Sequence, residues 1–273
     1  MGTPLKQWNI RINRGILTGY NEAFIISTEK KDEIIAADSR SAEIIRPILR
    51  GRDIKRYNYT FADLWLIFVP WHFPLQNDES ITGVSEKAEY LFKERYPAVY
   101  NHLLLYKEEL SKRNKSETGI RYEWYTLQRW GAKYWNDFSE QKIVWGNLCL
   151  SAQFSYVEDE FFINAPSPMI VPGNKYLLAV LNSKVADWYI RQLGVTRNGG
   201  YFEYKPMFVE QLPVPRISEE EQKPFVEIVN KILKIKNENG DTTTLESQID
   251  DMVFDLYGLN SEEIAYILTG SSN

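Results

Sequence analysis

The side chains in this sequence that are equipped for chemistry are mostly cations, gathered in groups. Arg11 and Arg14 flank a strand-like segment, and Arg14 abuts a glycine loop, Gly15-Ile-Leu-Thr-Gly-Tyr-Asn21. Arg50, Arg52, Lys55 and Arg56 form the densest basic cluster, with Asp53 in its midst. Arg113, Lys115, Arg121 and Arg129 are interleaved with Tyr122, Trp124, Tyr125 and Trp130. Arg197 and Asn198 sit on a glycine loop that closes with Gly199 and Gly200, and Lys205 follows an aromatic segment. Such groups suit a polyanion. The planar fork of Arg matches a guanine edge, whereas Lys serves phosphate as a point charge. Phosphate contacts position a protein on nucleic acid, and base-edge contacts specify sequence. Thr18, Tyr20 and Asn21 carry hydrogen-bonding groups on a loop whose glycines permit close backbone approach. Each group also has a plainer reading: solvated strand charges, a structural turn, a helix end, or rings packed in a core.

Catalytic groups are harder to find. Glu158-Asp159-Glu160 is acidic enough to suggest a nuclease cluster, but between Tyr156 and Phe161 it reads as a solvated hairpin tip. Cys149 is the lone cysteine, which excludes an internal disulfide and a cysteine-cluster zinc site. It lies in an apolar strand pattern and is expected to fill space. His72 and His102 stand in aromatic and helical patterns without metal partners, so packing is their expected role. No metal site is expected.

The elements that must position these groups can be read from periodicity. Residues 8–13 alternate apolar and polar side chains as a strand does, and residues 23–26 form the next strand. Residues 30–49 are compatible with one or two short helices ended by Gly51. The apolar run 64–69 reads as a buried strand stopped by Pro70. Residues 85–113 carry the longest helical pattern, with a break at Pro97. Residues 142–145, 153–164 and 169–173 read as strands, the middle stretch as a hairpin. A helix is expected over 174–192, and an aromatic strand over 201–205. Leu212-Pro-Val-Pro-Arg216 is an extended connector, and amphipathic helices follow over 219–237 and 245–257 with a last short one after Ser261.

The net charge of −5 argues superficially against nucleic acid, but its distribution reverses that inference. Residues 216–273 hold 5 basic and 12 acidic side chains, whereas residues 1–60 hold 11 basic and 7 acidic. Acidity is concentrated at one end, so a local basic face is compatible with an acidic chain. There is no secretory signal and no apolar run long enough to span a membrane, so the expected location is cytoplasmic. The start of the chain reads as a cut from a longer protein.

Six blocks, taken in order, resemble a known family. Residues 15–26 resemble the opening signature of the TaqI-like C-terminal specificity domain, and Ile48-Leu-Arg-Gly-Arg-Asp-Ile-Lys-Arg-Tyr57 resembles its next block. Arg121-Tyr-Glu-Trp-Tyr-Thr-Leu127 and Lys142-Ile-Val-Trp145 resemble its middle. Leu178-Ala-Val-Leu-Asn-Ser-Lys184 and Gln211-Leu-Pro-Val-Pro215 resemble its close, and these are also similar to type I specificity subunits. Residues 245–258 resemble the tail of fused type II methylase-restriction proteins. The resemblance implies a target recognition domain that reads a short DNA sequence and presents a flipped adenine to a separate methyltransferase domain. That domain would carry an Asn-Pro-Pro-aromatic motif and a glycine-rich loop for S-adenosylmethionine. This chain has neither: Asn164-Ala-Pro-Ser167 lacks the paired proline and the aromatic.

The expectation is therefore an α+β fold, with a mixed or antiparallel β core and inserted helices over residues 1–215 and a C-terminal helical appendage over 216–273. The expected function is sequence-specific binding of double-stranded DNA for a restriction-modification adenine methyltransferase, with no turnover in this chain and no cofactor of its own. The expected partners are duplex DNA and a methyltransferase domain or subunit. The loop arginines Arg121, Arg129 and Arg197 are expected to read bases, and the Arg50–Arg56 cluster to hold the backbone. An aromatic-rich carbohydrate- or peptide-binding module is the alternative; it would need the rings but no clustered Arg.

Overall fold

One antiparallel sheet separates two hydrophobic cores. Its strands lie in the order Phe154–Val157, Lys142–Trp145, Pro168–Val171, Arg11–Arg14. Successive side chains of a strand point to opposite faces. Val144, Val157, Met169 and Val171 accordingly enter one core, with Ile48, Leu66, Phe92 and Tyr125. Ile143, Trp145, Phe154, Tyr156 and Ile170 enter the other, with Tyr176, Leu181, Phe225 and Val253. A sheet covered on both faces reads as continuous apolar sequence, and three of these four strands are buried along their whole length. The structure, a computed structural model, describes residues 2–158 and 160–270.

The first core is closed by a second, mixed sheet. Its order is Phe162–Ile163, Ile45–Leu49, Leu64–Ile67, Ile25–Ser27, and only the pairing of the first two strands is parallel. Helices Thr28–Ala37, Glu86–Arg95 and Pro97–Leu104 supply further side chains to it, with Ile34, Phe92 and Leu103 buried. Pro97 is the first residue of its helix, where its missing N–H costs nothing.

The second core is built around Lys175–Asn182. This helix is apolar nearly all round, buried from Tyr176 to Asn182, and packs between strand Phe154–Val157 and helix Glu219–Asn237. Helices Thr243–Tyr257 and Ser261–Gly270 follow. The apolar stripe of Phe225, Ile228, Val229 and Ile232 and that of Ile249, Val253 and Phe254 complete the core. The acidic C-terminal helices are thus part of a shared interior. Thr3–Pro4 pairs with Pro213–Val214, joining the start of the chain to the Leu-Pro-Val-Pro segment.

Four local expectations are corrected. Residues 30–49 are not all helical: helix Thr28–Ala37 and a 3₁₀ segment Ser39–Ile44 lead into strand Ile45–Leu49. Branched Ile45 and Ile48 and helix-breaking Pro47 favour extended backbone there. Asn21–Phe24 forms a helical turn before the strand begins at Ile25. Phe154–Val157 and Phe162–Ile163 enter different sheets, so no hairpin joins them; Asp159, at the expected tip, lies outside the described residues. Apolar flanks around an acidic turn look the same for a hairpin and for a crossover. The helix expected over 174–192 is two helices divided at Ser183, whose hydroxyl caps the second by accepting from Ala186 N at 3.2 Å. Among the described residues no helix is long and apolar enough to cross a membrane.

Two polar side chains tie the parts together. Asn182 mimics a neighbouring strand: its Oδ1 accepts from Phe154 N at 3.0 Å and its Nδ2 donates to Phe154 O at 2.9 Å. Arg56 donates to Glu246 on helix Thr243–Tyr257 and to the Asn182 carbonyl. Breaking such a sheltered pair from one side leaves an uncompensated charge. Arg56→Ala is therefore expected to destabilise the fold by about 3 kcal/mol, read as a lower urea midpoint at unchanged slope. An unchanged midpoint would mean that Arg56 is free to serve solvent or ligand.

Candidate nucleic-acid interface

The candidate site lies across one end of the dividing sheet. Arg14 ends its strand there, Gly146 and Asn147 follow Trp145, Gln153 precedes Phe154, and Ala165 to Ser167 precede Pro168. Two adjoining basins of about 760 and 860 Å³ open over these strand ends. They share Asn147, Ala165, Pro166 and Lys205, and so form one groove. The floor is crowded backbone. A Cβ on Gly15 would lie 2.4 Å from the Ile163 carbonyl oxygen, so only glycine fits. Gly19 takes a φ of +77°, a left-handed conformation that favours glycine.

Charge in the groove is one-sided. Eight lining side chains are Lys or Arg, and only Glu203 is acidic. No lining residue lies beyond Met207, so the acidic C-terminal helices face elsewhere. Exposed Leu17, Leu148, Leu150, Tyr201 and Met207 stand among the cations. A concave, basic surface studded with apolar side chains suits a phosphate backbone with sugar and base edges between.

The cations divide into two kinds. Arg129 and Arg197 are held by carboxylates. Glu117 accepts from Arg129 Nη2 at 2.8 Å and from Arg121 Nη1 at 3.0 Å. Both guanidinium carbons lie 5.7 Å from the Trp71 ring centroid, and Trp71 stacks on Tyr122 at 4.6 Å. Arg129 is further fixed by a two-way backbone bridge with Leu17, at 2.9 and 3.0 Å. On the other side, Glu203 accepts from Arg197 Nε at 2.6 Å and pairs with Lys205 Nζ at 2.7 Å. Hydrogen bonds from Lys205 and Arg197 hold its carboxyl below the usual carboxylate range, so it is ionised and leaves one net positive charge on the trio. Arg197 belongs to a small hairpin, Thr196–Arg197 against Tyr201–Glu203, turned by Gly199 and Gly200 at φ +79° and +76°. By contrast Arg14, Arg52, Lys55 and Lys133 line the groove without an ion-pair partner among the described residues.

The sequence-derived set therefore splits. The structure brings Arg14, Asn21, Arg52, Lys55, Arg129, Arg197 and Lys205 to the groove, and Arg121 to its edge over Trp71. It does not bring the others. Arg11 forks onto Asp137 at 2.8 and 3.0 Å, which also takes the Asn13 amide. Thr18 is buried and bonds Asn21 Oδ1 at 2.7 Å. Tyr20 packs on Tyr106. Arg56 is spent on Glu246 and Asn182. Arg113 is buried, donates to the carbonyls of Leu110, Thr18, Trp124 and Thr126, and burial lowers its pKa to about 10, still protonated at neutral pH. Lys115 and Asn198 are exposed outside the groove lining.

Trp71, Lys133 and Asn147 line the groove although the sequence did not single them out. A Pro-flanked aromatic run around Trp71, and glycines just before Lys133 and Asn147, were the signals available. The aromatic surplus is mostly interior: Tyr122, Tyr125 and Trp145 are buried, and so is Cys149. His102 is buried against the Ala23 carbonyl, and His72 pairs with buried Glu123 at 3.0 Å.

Comparison with known proteins gives this geometry a context. The chain is 24% identical over 250 residues to the type II methyltransferase M.MjaIV of Methanocaldococcus jannaschii, covering 89% of this chain and 77% of that one. Its fold is similar to part of the type IIL restriction-modification enzyme MmeI in complex with DNA, with a TM-score of 0.68 and 14% identity. That match covers 99% of this chain and 36% of MmeI, so the chain spans about a third of that enzyme. Residues 46–214, which include most of the groove, match the TaqI-like C-terminal specificity domain, and the chain belongs to that family.

Proposed function

We propose that this chain reads a short sequence in double-stranded DNA for a restriction-modification adenine methyltransferase, with methyl transfer performed by a separate domain or subunit. The observation that carries this reading is the groove at the sheet end, where eight cations face one carboxylate. Membership of a specificity-domain family and likeness to an enzyme solved on DNA support it. The sequence holds no Asn-Pro-Pro-aromatic motif and no strand–glycine-loop–helix unit, so S-adenosylmethionine is assigned to the associated methyltransferase. The alternative of a carbohydrate- or peptide-binding module loses its support, because the rings that suggested it are largely core.

The two kinds of cation suggest two roles. A guanidinium oriented by a carboxylate is already fixed in direction, which suits a base edge. Unpartnered Arg14, Arg52, Lys55 and Lys133 can follow phosphates of any sequence.

Duplex binding by this chain should fall steeply between low and physiological salt through counterion release. Arg52→Ala with Lys55→Ala should weaken all duplexes alike and flatten that slope by about one unit per lost phosphate contact. Binding that is indifferent to salt would overturn the reading. In the methyltransferase that carries this chain, Arg129→Ala or Arg197→Ala should relax the methylated sequence at one base pair, worth about 1–3 kcal/mol. Methylome sequencing decides it, and an unchanged motif in both variants refutes the role of the buttressed arginines. Calorimetry of this chain with S-adenosylmethionine should show no heat beyond dilution; micromolar binding would contradict the division of labour.

A further inference from the structure

Asn147 and Lys205 are the polar side chains shared by both basins of the groove, and only Asn147 is uncharged. Its backbone is fixed. Tyr204 N donates to the Asn147 carbonyl at 2.8 Å, and the Tyr204 carbonyl accepts from Trp145 Nε1 at 2.6 Å. The flanking residues Leu148 and Cys149 pair with Glu203 and Phe202. Its side chain is not satisfied: Oδ1 is sheltered from solvent and has no hydrogen-bond partner. A sheltered amide oxygen without a protein partner is open to an outside donor, and among the described residues Asn147 Oδ1 is the one such atom that lines the groove. Asn182, at the end of the helix packed on the dividing sheet, has both ends of its amide paired.

We propose that Asn147 is a base-reading residue whose missing partner is the major-groove edge of an adenine. This inference rests on the DNA-reading function proposed above. An amide offers one donor and one acceptor side by side, and adenine offers the complementary N7 acceptor and N6 donor. Rotation about the terminal side-chain torsion, which is broad for Asn, can exchange the two ends of the amide to suit a partner. Leu148 and Leu150 stand beside it, 52% and 53% exposed, where they match the methyl group of the paired thymine. The buttressed cations on either side, Arg129 and Lys205, cannot supply an acceptor, and Glu203 has its oxygens taken by Arg197 and Lys205. Of the residues common to both basins, Asn147 is therefore the one whose side chain offers both a donor and an acceptor to an A·T pair.

The test uses selection from randomised duplexes by the 273-residue chain, followed by sequencing. Wild type should enrich a motif containing an A·T pair. Asn147→Asp keeps the shape and the acceptors but removes the donor, so that one position should shift towards C·G by about tenfold, because cytosine N4 donates. Asn147→Ala should make the same position degenerate and leave the others intact. Melting provides the control: removing an unpaired acceptor should leave the melting temperature of Asn147→Ala unchanged or raised. Identical motifs in all three proteins would overturn the assignment to Asn147 while leaving the DNA-reading function standing. A lowered melting temperature in Asn147→Ala, with every position weakened together, would make the residue structural and likewise overturn it. Wild type that binds no duplex would overturn the function beneath it.

Discussion

The dividing sheet is the constraint from which the rest of the molecule follows. Because Val144 and Met169 face one core while Ile143, Trp145 and Ile170 face the other, a shift of register by one residue would exchange the two interiors. Both are close-packed, so the register is fixed from two sides. Strand ends inherit that precision. Arg14, Asn147, Gln153 and Ala165 leave their strands at one common edge, and loops anchored there can hold side chains at defined separations without forming regular structure themselves. The helices that look like an appendage in sequence are bound into the same arrangement, since Phe225, Ile232 and Val253 cover the face that Trp145 and Phe154 expose.

Carboxylates decide what each cation does. Arg11, Arg50 and Arg56 each meet an acid, and two of the three acids are far away in sequence: Asp137 for Arg11, Glu246 for Arg56. These three are neutralised in place and act as struts. Glu117 and Glu203 each serve two cations, so each leaves a positive charge while fixing its direction. Only the cations with no acid at hand retain both charge and freedom. A count of Lys and Arg along the chain cannot separate these three classes, although they differ in what they can bind.

That is also why the fold was more legible than the site. Continuous apolar runs such as residues 142–145 and the amphipathic stripe from Phe225 to Ile232 state their burial directly, and the structure follows them. Errors arose where local sequence is compatible with two long-range outcomes. The isoleucines 45 and 48 fit a helix stripe as well as a strand, and pairing with Leu64–Ile67 decides for the strand. Among the candidate readers, Arg113 stands in a basic segment interleaved with aromatics, but four backbone carbonyls, from Leu110, Thr18, Trp124 and Thr126, converge on it. Asn147 gave only the weak signal of the glycine before it, because an unpaired amide oxygen is a property of the folded chain.

A reader of sequence has two demands that conflict: its contacts must be rigid, and they must be exchangeable without loss of the fold. The geometry here meets both by separating where stability comes from and where contacts are made. Stability resides in the two cores and in the struts Arg56, Arg113 and Asn182, none of which lines the groove. The groove residues Arg52, Lys55, Lys133 and Leu148 are exposed at strand ends and turns, where substitutions cost the interior little. Arg129 and Arg197 take their rigidity from single carboxylates and from short backbone bridges. A surface built this way can exchange one side chain and its acid while the sheet beneath continues to fix where that side chain stands.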